Sequence, residues 1–222
     1  MAFMHAELFN FSVFTIKFNF GVKFPSTSKR CIMYFILFSK KETFHYNSSY
    51  WQNKQSYNPA RGLSELDDQE TKLPTYWSTS FKELCVGMKV GNDLKFVSIS
   101  YPASSLYDLI ADGKYRATSL GRQKWKSLIN GSSLQTNCNK EGFNVVANDI
   151  NLKFARTRIG LIGNNENNCV SSDSFIGFGG SDAATRGFCY LKNVTNTCGN
   201  SGHCFPDNGD KETKAMGYIF VR

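Results

Sequence analysis

Residues 84–100, LCVGMKVGNDLKFVSIS, hold two apolar, β-rich runs on either side of a reversal signal. Leu84–Val90 and Phe96–Ser100 carry the Val, Ile and Phe of buried strands. Gly91-Asn92-Asp93 between them supplies the residues of a tight turn, so the stretch reads as a β-hairpin.

Two helices are predicted next. Ser104 or Ser105 caps the first, with Leu106, Leu109 and Ile110 on one face, Asp108 in the first turn and Gly113 as the stop. Ser119 is placed to cap the second, where Leu120, Trp125, Leu128 and Ile129 form the apolar stripe and Gly131 ends it. Trp125 reads as a core residue of that stripe rather than a ligand-stacking surface.

Beyond residue 138 the pattern turns β-like and punctuated. Strands are predicted at Phe143–Ala147, Ala155–Ile162, Phe175–Phe178 and Met216–Arg222, with Arg156 and Arg158 on one face of the second. Asn/Gly/Asp/Ser-rich loops fill 163–174, 181–201 and 205–214. Upstream, residues 45–80 read as a loop-rich surface segment that carries Trp51 and Trp77. Short helices among antiparallel strands give an α+β class with a central, mostly antiparallel sheet.

The chain has seven cysteines. Cys85, Cys138, Cys169, Cys189, Cys198 and Cys204 lie within this loop-rich rear, with Cys31 far upstream. No two have the close spacing of a zinc or thioredoxin-type site, so the six read as a disulfide framework of unknown pairing. Long loops that no core can order are where such cross-links are needed. Disulfides persist in oxidising compartments, and Asn47, Asn130 and Asn193, with Asn10 further upstream, head Asn-x-Ser/Thr glycosylation acceptors. Together these features predict a secreted protein.

The 222 residues suffice for one good core. The net charge of +8 is uneven: residues 1–61 hold eight Lys/Arg and two acids, residues 62–222 eighteen and sixteen. The rear is therefore nearly neutral, which argues against a nucleic-acid partner. No apolar run is long enough for a membrane-spanning helix. Residues 1–44 contain ten of the nineteen Phe and read as an atypical targeting segment or, the favoured view, a front end wrongly appended by a gene model. Residues 45–222 form the domain.

Catalytic chemistry finds little footing. The chain has three His; His5 and His45 lie near the front and His203 adjoins Cys204, read as half a disulfide. No nucleophile elbow, zinc-protease motif or phosphate loop occurs, so the protein is expected to be non-catalytic. Asp67-Asp68 reads as a solvated pair. Asp207, Asn208 and Asp210 offer the oxygens of a calcium turn, set against an ordinary surface turn. Lys114, Arg116, Arg122, Lys124 and Lys126 offer a cationic surface to acidic glycans, set against a merely solvated one.

Several runs resemble a known family: Trp125–Ser132 (WKSLINGS), Asn137–Asn144 (NCNKEGFN), Asp173–Gly180 (DSFIGFGG), Asn208–Lys211 (NGDK) and Tyr218–Arg222 (YIFVR). They look like the skeletal organic matrix protein 5-like proteins of corals and anemones, which are similar to fibrinogen C-terminal-like domains. The resemblance covers roughly 45–222. The family's Gly-Gly-Trp-Thr opening has no match, Phe35-Ile36-Leu37 is read as its remnant, and the domain is expected to be incomplete at its N-terminal side. It implies an irregular α+β domain with long disulfide-pinned loops, acting in extracellular matrix or adhesion, with matrix proteins or glycans as partners and oligomerisation open. A looser similarity links Asn167-Asn168-Cys169 and Gly177–Gly180 to the His-His-Cys-Ile-Gly-Gly-Gly-Gly stretch of intelectins, with Asn at the metal-binding His positions. It implies the alternative of a calcium-dependent lectin carried by Asn168 and the Asp207–Asp210 turn.

Overall fold

The computed structural model describes residues 37–38, 43–61, 69–148, 155–181 and 196–222. Cys31, Cys189, Asn10, Asn193, Asp67 and Asp68 lie outside them, as does nearly all of the 1–44 segment.

The hairpin forms as read. β2 (Phe81–Val90) pairs antiparallel with β3 (Asp93–Ala103), and Val90 faces Asp93 across a two-residue Gly91-Asn92 turn. Asp93 thus opens the strand instead of completing the turn. The C-terminal run becomes β10 (Met216–Val221), seated between β2 and the short β1 (Leu37–Phe38), so this sheet has the order β1-β10-β2-β3. β2 is buried along Leu84–Met88 because both its faces are covered. Leu84, Val86 and Met88 join the main core, while Cys85 packs with Tyr218 and Phe220 on the other side.

A second antiparallel sheet is a meander of six strands, β4 (Arg116–Ala117), β5 (Asn137–Val146), β6 (Arg156–Asn164), β7 (Ser174–Ser181), β8 (Cys198–Gly202) and β9 (Lys211–Lys214). Ile159 and Leu161 of β6, Ile176 and Phe178 of β7 and Phe143 of β5 share one core with Val86, Val97, Ile99 and Ile219 of the first sheet. The architecture is α+β with few short helices, but the expected single central sheet is two sheets around a common core.

The first helix, α2 (Leu106–Ile110), starts where expected, with Ser105 Oγ accepting the Asp108 N–H at 3.1 Å. Gly113 follows at φ +71°, the left-handed geometry that ends a helix and favours glycine. The second, α3 (Arg122–Lys126), does not use Ser119. Its N-cap is Gly121, which makes no side-chain cap. The Glu141 carboxylate on β5 substitutes, accepting from Leu120 N at 3.0 Å, Gly121 N at 2.8 Å and Thr118 Oγ1 at 2.7 Å.

Within 45–80, the stretch 52–61 is largely at the surface as expected, while Trp51, Lys72 and Tyr76 are buried. Trp51 is fully buried, its indole N–H bonds His45 O at 3.0 Å, and its carbonyl accepts the Tyr76 hydroxyl at 2.9 Å. Tyr76 belongs to α1 (Thr75–Ser78). Lys72, also buried, donates from Nζ to Tyr50 O at 2.6 Å, Asn53 O at 2.7 Å and Asn53 Oδ1 at 2.8 Å. It also stands 4.8 Å from the Tyr76 ring centroid. Three oxygens and an aromatic face replace the water lost by this ammonium, which is what a buried charge requires.

Arg156 and Arg158 do share a face, but an inward one. Both guanidiniums stack on Tyr46, at 4.9 and 4.3 Å. Arg158 also donates to Tyr46 O at 2.8 Å and to Asn144 Oδ1 at 2.7 Å, tying the front segment to the second sheet.

Candidate functional site

The described cysteines divide into bonded and free. Cys138 and Cys169 are joined, with Cα atoms 5.1 Å apart and a sequence separation of 31. The bridge ties β5 to the 165–173 loop. Cys85 and Cys204 are disulfide-bonded as well, so His203 has no neighbouring thiol to activate. Cys198 departs from the expected framework: it is a free, buried thiol. It lies on β8 facing β10, where a Cβ on Gly217 would come within 2.5 Å of its Sγ and within 2.8 Å of Phe178. Glycine at 217 makes room for a sulfur used as core packing, and burial pushes the thiol pKa well up.

An open cleft of about 340 Å³ is lined by Lys95, Gln123, Lys126, Ser127, Asn130 and Asn208, with Ile129 and Gly131-Ser132. Three elements meet there: the start of β3, the turn after α3, and the 207–210 turn. Trp125 holds α3 in place from inside, fully buried, with its indole N–H on Glu141 Oε2 at 2.8 Å. The turn after α3 winds back on itself, Ser132 N bonding Ile129 O at 3.2 Å and Ser132 Oγ bonding Lys126 O at 2.9 Å.

Asp207 anchors the lining residue Lys126 without lining the cleft itself. Its Oδ2 pairs with Arg122 at 2.7 Å and with Lys126, and its Oδ1 accepts the Leu134 N–H at 3.1 Å. Partial burial raises the Asp207 pKa, but Lys126, the Leu134 amide and Arg122 outweigh it and leave the carboxyl below its usual range. Asn208 donates from Nδ2 to Gly131 O at 2.9 Å, and its N–H bonds Ser133 Oγ at 3.1 Å. Asp210 is exposed, near enough to His203 to raise an imidazole pKa that burial lowers more strongly. The three residues read as calcium ligands therefore share one turn without converging: Asp207 and Asn208 point their polar atoms at protein partners. Among the described residues no three His, Cys, Asp or Glu side chains gather as metal ligands.

The proposed basic cluster is divided. Arg116 pairs with Asp112 at 2.8 Å and bonds Leu109 O at 2.9 Å, away from the cleft. Arg122 and Lys126 converge on Asp207, and Lys95, unnoticed in the sequence, reaches Asn130 Oδ1 from β3. Asn130 returns a bond from Nδ2 to Asp93 Oδ2 at 3.0 Å. Of the acceptor asparagines, Asn47 and Asn130 are both exposed.

Asn200 lies in a stretch that reads as loop but forms part of β8. Fully buried on β8, it accepts the Ser133 N–H at 2.7 Å and donates to Ser133 O at 2.8 Å and Phe175 O at 2.9 Å. It locks the segment below the cleft to the second sheet. A buried Asn among Gly and Ser has the same local sequence as a surface turn, so only the partner positions 133 and 175 reveal its role.

No protein-family model, curated protein or solved structure matches this chain. The lining of the cleft contains no carboxylate, imidazole or thiol. What it offers is amide, hydroxyl and ammonium groups suited to holding a polar, hydroxyl-rich partner.

Proposed function

We propose that the chain is a secreted, non-catalytic module of fibrinogen-like type that works in extracellular matrix or adhesion. The observation that carries this reading is the covalent bracing of the loop-rich rear, with Cys138 bonded to Cys169 and both Cys85 and Cys204 also in disulfides. Such cross-links persist where thiols are oxidised, outside the cytosol. The exposed acceptors Asn47 and Asn130 support the same compartment. A polar cleft whose lining holds no carboxylate, imidazole or thiol supports binding over catalysis.

The alternative, a calcium-dependent lectin, draws less support, because Asp207 is occupied by Arg122 and Lys126. The two separate in a solid-phase assay of the secreted full chain on decellularised matrix and on a glycan array, each with and without chelator. The matrix reading expects retention on matrix that chelator leaves unchanged. Glycan binding abolished by chelator and by Asp210→Ala establishes the lectin instead, and binding to neither surface defeats both.

A further inference from the structure

The cleft and an exposed glycosylation acceptor are the same place. Asn130 of the Asn130-Gly131-Ser132 acceptor is itself part of the lining, at the end of the turn that follows α3. We propose that Asn130 carries an N-linked oligosaccharide whose first sugars lie in this cleft, so that its occupant is the protein's own glycan. The inference rests on the secreted reading above.

The amide is already set as a root. Lys95 holds Oδ1 and Asp93 takes one of the two Nδ2 hydrogens, both from β3. The other Nδ2 position remains for the sugar. Attachment transfers the oligosaccharide from a polyprenyl-diphosphate donor: the C1–O bond to diphosphate breaks, the C1–Nδ2 bond forms, Nδ2 gives up one proton, and the lipid diphosphate leaves. No oxidant or reductant is required.

The surroundings suit a sugar. Gln123 and Ser127 present neutral donors and acceptors, and Lys95 and Lys126 add ammonium donors. The volume, about 340 Å³, falls at the small end of the roughly 300–1,000 Å³ range of ligand sites. Asn47 provides the contrast: it is an exposed acceptor in a turn beside a 3-10 segment, Ser49–Trp51, and does not line the cleft. A sugar there projects into solvent, while one at Asn130 is held. The seated glycan closes the cleft to soluble ligands and leaves partner binding to other surfaces.

The test is site-resolved release by peptide-N-glycosidase from the full chain secreted by eukaryotic cells, followed by peptide mass mapping. The expected result is occupancy at Asn130 and release at least about tenfold slower from the folded protein than from the reduced, unfolded chain. Asn47, where occupied, is expected to release faster than Asn130 in the folded protein. An unmodified Asn130, or folded and unfolded release rates alike, overturns the proposal. If the Cys138–Cys169 link is intact in that same sample, the secreted reading survives the failure. Free thiols at both positions and no sugar at any acceptor overturn the two together.

Discussion

The Trp125 indole N–H and the Glu141 carboxylate meet at 2.8 Å, joining a buried helix residue to a strand of the six-stranded sheet. The same carboxylate accepts from Thr118, Leu120 and Gly121, so one side chain sets both the start of α3 and the depth of Trp125. Glu141→Gln keeps the shape but turns an NH₂ group toward N–H and O–H donors. The expected cost is about 2–3 kcal/mol, from losing charge-assisted bonds and leaving donors unsatisfied. Urea unfolding of the pair of proteins checks it, and a change under about 0.5 kcal/mol, the usual range of a surface substitution, contradicts it.

The bond between Cys138 and Cys169 closes a loop across 31 positions of sequence. Chain-entropy arithmetic for a loop of that length gives about 3–4 kcal/mol of stabilisation. The double variant Cys138→Ala, Cys169→Ala is expected to lose that amount in denaturant unfolding. Added reductant is expected to leave the double variant's dependence on this bridge at zero while weakening the parent.

Lys72 is a buried ammonium with three oxygen acceptors, and burial lowers its pKa from 10.5 to about 8. The folded protein thus releases this proton near pH 8 and the unfolded chain holds it until about pH 10.5. Between those values the unfolded state binds more protons, so this group makes stability rise with pH. Lys72→Met is expected to remove that rise. At pH 7 it is also expected to cost about 2–3 kcal/mol by orphaning the Tyr50 and Asn53 carbonyls. Unfolding midpoints measured from pH 7 to 11 decide both points.

Asp173 behaves in the opposite sense. Burial raises its pKa to about 6; the Gln135 hydrogen bond opposes the shift and nearby Glu166 adds to it. Here the folded pKa lies above the unfolded 3.8, so the group's contribution is full below pH 3.8 and is lost as pH rises through 6. Asp173→Asn is expected to flatten the acid side of the stability curve and to stabilise the fold at pH 7. Equal slopes for variant and parent between pH 4 and 6 contradict the assignment.

The parts of this fold that were legible in the sequence are those made by local patterns. The Gly91-Asn92 turn, the Ser105 cap, the stop at Gly113 and the burial of Trp125 all follow from neighbours within one or two turns of chain. What stayed hidden depends on partners far along the chain. β8, CGNSG, has almost no β-forming side chains, yet it lies in the sheet because β7 and β9 flank it and Asn200 bonds Ser133. Trp51 looked exposed because its segment is polar, and the ring packs against Phe44 and Tyr76 instead. Cys198 could not be told from its bonded neighbours, since pairing is set by three-dimensional proximity and residue spacing says nothing of it. The cleft needed Lys95, Asn130 and Asn208 to meet from three separate elements.

The most direct test is differential thiol mapping of the secreted, non-reduced chain, labelling before and after denaturation. A cross-linked peptide pair containing Cys138 and Cys169 is expected, with Cys198 labelled only once the protein is unfolded. Labelling of Cys138 and Cys169 as free thiols in the native protein contradicts the account.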